Sequence, residues 1–164
     1  MITRYEQEAI EQLLGLTTST EYPVSLAASF IADCSTNFPL PPTNPVNLKI
    51  YNYLSFQIGG RIWQSRGMVD ILTSIVFYWF VMNKMVGDSQ SGIQAPNIDA
   101  AFKVMLKDGG RYAASRYNDA RGSIDCIRRF LKFGNGQGGE GNGGLTDYPN
   151  YIEPKHEFEY KYFL

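Results

Sequence analysis

The chain has 164 residues, of which 44% are hydrophobic and 19% are charged, so it is long enough to bury the core of one domain. Its formal net charge of −1 and its mean hydropathy of −0.23 exclude a polybasic histone-like protein and a disordered acidic tail. Its two cysteines, Cys34 and Cys126, are too few for a disulfide scaffold, and their separation without a CxxC spacing predicts reduced thiols in the core.

Apolar spacing and cap residues in the N-terminal third of the chain predict three helices. Apolar residues at helical spacing predict a first helix over residues 4–14, which Gly15 ends. Thr20 is a candidate cap for a second helix that ends near Cys34. The proline-rich residues 37–47 predict a rigid extended connector. Asn44 and Pro45 then form a cap and a first turn, and they open a third helix that continues to Ile58.

The middle of the chain predicts three further helices. Gly59 and Gly60 break the third helix, and a fourth follows over residues 61–86. Its Ile-Val-Phe-Tyr-Trp-Phe run also fits a buried strand, but the length without a turn signal favours a helix. After a polar loop at 87–94, the pattern predicts a short helix at 98–107 that ends at Gly109 and Gly110. The last helix is predicted at 111–132.

The C-terminal part changes composition. Residues 134–144 are rich in glycine and predict a flexible linker, whereas residues 156–162 alternate polar with aromatic side chains, which is typical of a strand. The predicted fold is mainly α: a helical bundle with a glycine-rich hinge and an extended C-terminal β-strand arm. Its parts are a helical body at 1–133, a linker at 134–147 and an arm at 148–164.

The predicted arm has no partner strand in its own helical body. A lone strand leaves its backbone groups unpaired, so pairing with a neighbouring subunit is the economical solution. The alternative is that the tail packs back on its own body. The residues that we expect to contact a neighbour are Phe158, Tyr160, Tyr162 and Phe163.

Charge is concentrated in one segment. Residues 103–132 carry 8 basic and 3 acidic side chains, a net +5, whereas residues 133–164 carry 2 and 5, a net −3. Arg116 falls toward the apolar face of the predicted last helix, so it needs a carboxylate or phosphate partner. Three roles stay open for this helix: a solvated face, a surface for an acidic partner such as the tail of another copy, and a track for nucleic-acid phosphates. The residues concerned are Arg111, Arg116, Arg121, Arg128, Arg129 and Lys132.

The sequence gives no indication of a membrane-spanning helix or of a catalytic site that depends on histidine. The most apolar stretch, residues 71–83, is shorter than the ~20 residues of a membrane-spanning helix and predicts a buried core helix. The first residues form no apolar leader, so we expect no signal peptide. His156 is the single histidine, which argues against a Ser-His-Asp site and a two-histidine zinc site. We therefore expect no catalytic residue, cofactor, metal, membrane contact or small-molecule substrate.

In layout, the chain resembles the head–tail adaptor, or connector, subunits of tailed phages. The helices over 4–132, the hinge Gly134–Gly144 and the arm Tyr148–Leu164 carry this resemblance, together with low charge and many Asn, Gly, Tyr and Phe residues. The proline-rich residues 39–45 depart from that layout. No motif matches residue by residue, so the resemblance implies no individual site residue.

The resemblance implies a non-enzymatic structural subunit of a large homo-oligomeric assembly. Its partners would be copies of itself and other virion proteins, and it would be assembled into the virion in the host cytoplasm. One alternative is a helical-bundle viral coat protein that packages nucleic acid along the basic helix. Another is a small cytosolic binding protein.

Overall fold

The computed structural model describes residues 4–16, 21, 23–37, 42–90, 100–137, 139, 141–154 and 158. Over these residues the chain is mainly helical, as predicted, and it adds one small antiparallel sheet. The elements in chain order are α1 (Arg4–Leu14), α2 (Leu26–Asn37), α3 (Pro45–Tyr51), β1 (Leu54–Ile58), β2 (Arg61–Ser65), α4 (Met68–Gln90), α5 (Ala100–Phe133) and a 3₁₀ turn (Gly144–Thr146).

Two of the first three helices, α2 and α3, begin at local caps. α1 has the predicted bounds. α2 begins later than predicted, because the Ser25 hydroxyl accepts a hydrogen bond from the Ala28 amide at 3.2 Å and so caps the helix at Leu26. The predicted cap, Thr20, lies outside the described residues. α3 begins at Pro45 as predicted, and the Asn44 side chain accepts from the Val46 amide at 3.0 Å.

A β-hairpin replaces the helices that we predicted over residues 54–65. β1 and β2 pair antiparallel, with Phe56 opposite Trp63. Gly59 and Gly60 have φ of +58° and +78°, and a two-residue hairpin turn of this kind needs positive φ at both positions. The glycine pair is therefore a reversal of the chain direction, and the helical prediction was wrong on both sides of it.

α4 and α5 form the long helical pair of the structure. The run Ile-Val-Phe-Tyr-Trp-Phe is helical, as predicted. The two helices run antiparallel, since the Arg66 amide contacts the Ser123 hydroxyl while the Phe77 ring contacts the Tyr112 ring. The break predicted at Gly109 and Gly110 is wrong, because α5 continues through both. Glycine inside a helix costs about 1 kcal/mol relative to alanine, which packing against α4 can offset.

One hydrophobic core joins the helices, the hairpin and the C-terminal segment. Cys34 and Cys126 lie in it as free thiols, as predicted, and burial raises the pKa of Cys34 to about 11 and that of Cys126 to about 12. Among the described residues, no helix has both the length and the apolarity that a bilayer span requires. The largest fully buried side chains are Tyr148, Phe30, Ile10, Leu13, Leu14, Ile50, Met68, Ile71, Ile75, Ile124, Ile127 and Leu131.

The described part of the glycine-rich segment is held by Asp147. Its carboxylate accepts hydrogen bonds from the Gly141 amide at 2.9 Å and the Gly143 amide at 2.8 Å, and the Lys49 ammonium lies 3.9 Å away. The neighbouring Tyr148 is buried, and its hydroxyl donates to the Val46 carbonyl at 2.7 Å. The segment that composition predicted as a linker is thus hydrogen-bonded to itself and joined to α3.

Asp33 holds the connector between α2 and α3. Its carboxylate accepts from the Thr43 amide and hydroxyl at 3.1 and 2.8 Å, from the Asn44 amide at 3.2 Å and from the Asn47 side-chain amide at 2.9 Å. Burial alone would raise the pKa of Asp33, but these hydrogen bonds outweigh it and hold the pKa below its usual 3.8.

This lowered pKa predicts an acid-sensitive contribution to stability. The ionised Asp33 stabilises the fold at every pH above its unfolded pKa, and that contribution is lost as the pH falls through the lower folded pKa. We expect Asp33→Asn to be less stable than the wild type at about pH 6 and to lose less stability on acidification to about pH 2. Urea unfolding at both pH values measures this. Equal acid losses in the two proteins would contradict the assignment.

Candidate functional site

A basic and aromatic groove lies where β2 packs against the C-terminal part of α5. Asp125, Arg128, Arg129, Lys132 and Phe133 share one face of α5, because they are spaced three, four, seven and eight residues apart. The groove has a volume of about 450 Å³. We call it the Arg–Trp groove, and its lining residues are Arg61, Trp63, Asp125, Arg128, Arg129, Lys132, Phe133 and Glu153.

Trp63 is the centre of the groove. Alternate residues of a strand face the same side, so Arg61 and Trp63 project together from β2. The guanidinium carbons of Arg61 and Arg129 lie 4.4 and 4.6 Å from the centroid of the Trp63 ring, which is cation–π distance. Phe56, opposite Trp63 in the hairpin, packs on Phe130 of α5 at a centroid distance of 5.6 Å. This contact fixes the hairpin on the helix.

Two of the four cations in the groove have structural partners. Arg128 donates to the carbonyls of Gln12 at 2.9 Å and Leu13 at 3.4 Å, so it neutralises the C-terminal end of α1. The Lys132 ammonium lies 2.5 Å from the Glu153 carboxylate. These two side chains join the groove to α1 and to the C-terminal segment.

The other two cations, Arg61 and Arg129, have no such partner. Within the described part of the chain, neither guanidinium forms an ion pair or a hydrogen bond, although Asp125 lines the same groove. Among the described residues, the buried Nε of Arg129 and the buried indole Nε1 of Trp63 find no acceptor. The groove lining holds four cations and two carboxylates, so the groove favours an anionic ligand.

The structure separates the six basic residues that the sequence singled out. Arg128, Arg129 and Lys132 line the groove. Arg116 lies half-buried and 3.8 Å from Asp70, the type of carboxylate partner that its position required. Arg111 is exposed and Arg121 is half-buried, and neither lines the groove.

Arg61 and Trp63 were missed at the sequence level. We assigned them to a helix, where a spacing of two residues puts side chains on different faces. The Gly59-Gly60 pair followed by alternating side chains was the signal for a hairpin, in which the same two residues share a face.

The predicted arm residues divide between described and undescribed parts. Phe158 is buried in the core of its own chain, 6.4 Å from the Tyr117 ring and 5.1 Å from the Arg128 guanidinium. It therefore packs on its own body, the alternative that we considered for the tail. Tyr160, Tyr162, Phe163 and the single histidine, His156, lie outside the described residues.

A second surface feature is the outer face of α4. Val69, Thr73, Val76, Phe77 and Phe80 recur at helical spacing, and their side chains are exposed or half-buried. We call these five residues the α4 outer face. Val69 is 50% exposed and Phe80 is 55% exposed, whereas Ile71 and Ile75, on the opposite side, are fully buried.

The α4 outer face continues onto α5. The Tyr112 ring, 57% exposed, lies 5.9 Å from the Phe77 ring in an edge-to-face arrangement. None of the five α4 positions carries a charge. The described residues therefore leave apolar surface of α4 and α5 exposed at Val69, Phe80 and Tyr112.

Comparison with known proteins adds no assignment. No protein-family model, no curated protein and no solved structure matches the chain. Among the described residues, no group of three or more histidine, cysteine or acidic side chains is arranged to hold a metal ion. The α4 outer face and the Arg–Trp groove are therefore the two surfaces from which we infer a function.

Proposed function

We propose that this protein is a non-enzymatic structural subunit of a homo-oligomeric assembly, whose copies meet through the α4 outer face. One observation carries the proposal: among the described residues, α4 buries Ile71 and Ile75 on one side and leaves the mostly apolar α4 outer face exposed or half-buried on the other. Contiguous exposed apolar surface marks an interaction site in soluble proteins.

A second copy of the chain is the occupant that this surface fits. The face has no charge to pair with, so its partner must itself present an apolar helix surface. An isologous contact supplies such a surface by symmetry, because each copy offers the same residues to the other; it joins the copies in pairs, and the proposed arm contact extends the pairs to a larger assembly. From Val69 to Phe80 the face is roughly 17 Å long at 1.5 Å per residue, which suits a helix pair.

The class of assembly that the layout supports is the phage head–tail connector. A helical body, low charge and many aromatic residues are the features shared with that class. In this proposal the protein is a virion component assembled in the host cytoplasm, and other virion proteins are its further partners. Because Phe158 packs in its own chain, Tyr160, Tyr162 and Phe163 carry the proposed arm contact with a neighbour.

The test of this proposal is the native mass of the wild type and of Val69→Glu over a concentration series. We expect an oligomer for the wild type and dissociation for the variant, with at least tenfold weaker association, because an unpaired carboxylate is costly to bury. Val69 is the second residue of α4, where an acidic side chain suits the helix dipole, so the monomer should stay folded.

The matched control is Leu145→Glu. Leu145 is exposed to a similar degree but lies on the 3₁₀ turn, away from the α4 outer face, so this variant should remain an oligomer. A wild type that stays monomeric at every concentration would overturn the proposal and favour the small binding protein. Polymerisation only with nucleic acid present would overturn it in favour of the coat protein.

A further inference from the structure

We infer that the Arg–Trp groove binds single-stranded nucleic acid, with backbone phosphates on Arg61 and Arg129 and a base stacked on Phe133. This inference does not rest on the proposed assembly, because the groove and the α4 outer face share no residue. It concerns residues from three parts of the chain that only the fold brings together: β2, the end of α5 and the segment that carries Glu153.

Arg61 and Arg129 supply the positive charge that would bind a phosphate. Arg128 and Lys132 are already engaged by α1 carbonyls and by Glu153, whereas Arg61 and Arg129 have no anionic partner among the described residues. A guanidinium presents a planar fork of donors that matches two phosphate oxygens. Arg61 is exposed and Arg129 is half-buried, so a ligand can reach both residues from solvent.

Arg61 and Arg129 both lie against the ring of Trp63. Both guanidiniums lie within 5 Å of its ring, so the indole holds two positive charges close together. Among the described residues these two neighbouring cations form no ion pair, so they repel each other, and a phosphate placed beside both reduces that repulsion. Trp63 therefore acts as a positioning residue for the two arginines.

Phe133 provides an exposed aromatic ring in the lining of the groove. Phe133 ends α5 and is 59% exposed, and the Lys132 ammonium and the Arg129 guanidinium lie 5.3 and 5.6 Å from its centroid. An open ring beside backbone-binding cations is the combination that holds single strands, because every unpaired base has a face to stack. An acidic peptide would use the same arginines but would leave Phe133 without a role.

The experiment is fluorescence anisotropy with a dye-labelled oligothymidylate of roughly 12 nucleotides, a length within the range that single-strand sites cover. Binding by the wild type should weaken steeply between about 50 and 200 mM salt. The double variant Arg61→Gln/Arg129→Gln should bind at least tenfold more weakly. Its salt slope should be smaller by about 1.4, since each phosphate contact on a single strand contributes about 0.7.

Phe133→Leu separates stacking from charge. It keeps every cation, so it should bind about tenfold more weakly while its salt slope stays unchanged. Arg111→Gln is the matched charge control, because Arg111 is exposed on the same helix, 18 residues before Arg129 and thus roughly 27 Å away. It should bind within about twofold of the wild type.

Three other results would overturn the inference. Equal losses from Arg111→Gln and the groove variant would overturn the inference in favour of diffuse attraction to the whole basic helix. Tighter binding of an oligoglutamate peptide than of the oligonucleotide would overturn it in favour of an acidic protein partner. Full competition by thymidine monophosphate would identify a single-phosphate site and overturn the strand assignment.

Two measurements keep folding and assembly from confusing the result. Circular dichroism melting shows whether the double variant is folded, and the single variant Arg61→Gln, at an exposed position, replaces it if it is not. The Val69→Glu variant should bind the oligonucleotide as the wild type does. Loss of binding in that variant would place the site at a subunit contact and would contradict the single-chain groove.

Discussion

Gly67→Ala should lower the free energy of unfolding by about 3 kcal/mol or more. Gly67 is buried at the junction of β2 and α4, with a φ of +91°, which strains any other residue. A Cβ there would also overlap the carbonyl oxygen of Tyr51 and come within 2.8 Å of the backbone of Asn52. Backbone atoms cannot turn aside as a side chain can, so the end of α3 would have to move away from the junction of β2 and α4.

The measurement is urea unfolding followed by circular dichroism, and the matched control is Gly60→Ala. Gly60 also has a positive φ, of +78°, but a Cβ there meets nothing within 4 Å. The control should therefore lose only the backbone strain, about 1–2 kcal/mol. Equal losses in the two variants would show that the close approach of the α3 end to Gly67 contributes nothing.

The change Asp147→Ala should cost about 3 kcal/mol and open the glycine-rich segment. The Asp147 carboxylate is buried, and its removal leaves the amides of Gly141 and Gly143 without their acceptor and Lys49 without its counter-charge. Lys49 also donates to the Gly141 carbonyl, so the link between this segment and α3 weakens with it.

Urea unfolding measures the stability, and limited proteolysis measures the opening of the segment. Glu153→Ala is the control, because Glu153 is an exposed acid whose ion pair with Lys132 is worth at most about 1 kcal/mol. Cleavage between residues 134 and 147 should become faster only in the Asp147 variant. A loss no larger than that of the control would mean that Asp147 does not anchor the segment.

Some features of this fold could be predicted from the sequence, and others could not. The α1 bounds, the Asn44–Pro45 start of α3 and the helical character of residues 71–83 followed from apolar spacing and caps, which act within one or two turns. The burial of both cysteines followed from their apolar neighbours. The need of Arg116 for an acidic partner followed from its position on the helix, but Asp70 as that partner did not.

Other elements were decided by tertiary packing. Residues 54–65 have apolar spacing that fits either structure, and they form a hairpin because Phe56 and Trp63 can then cover α5. Gly109 and Gly110 weaken a helix locally, yet α5 continues because α4 packs along it. The glycine-rich segment has the composition of a linker, but Asp147 accepts hydrogen bonds from the amides of Gly141 and Gly143 in its described part.

The candidate site shows the same division. Three of the eight residues that line the Arg–Trp groove, Arg128, Arg129 and Lys132, were visible as a basic stripe, because residues on one helix face recur at a known spacing. Arg61 and Trp63 precede that stripe by 65 residues or more and Glu153 follows it by 21, and only the packed hairpin and C-terminal segment bring them to it. Local spacing and caps thus determined single helices. The groove, the hairpin and the anchored loop needed contacts between distant residues, which no local pattern encodes.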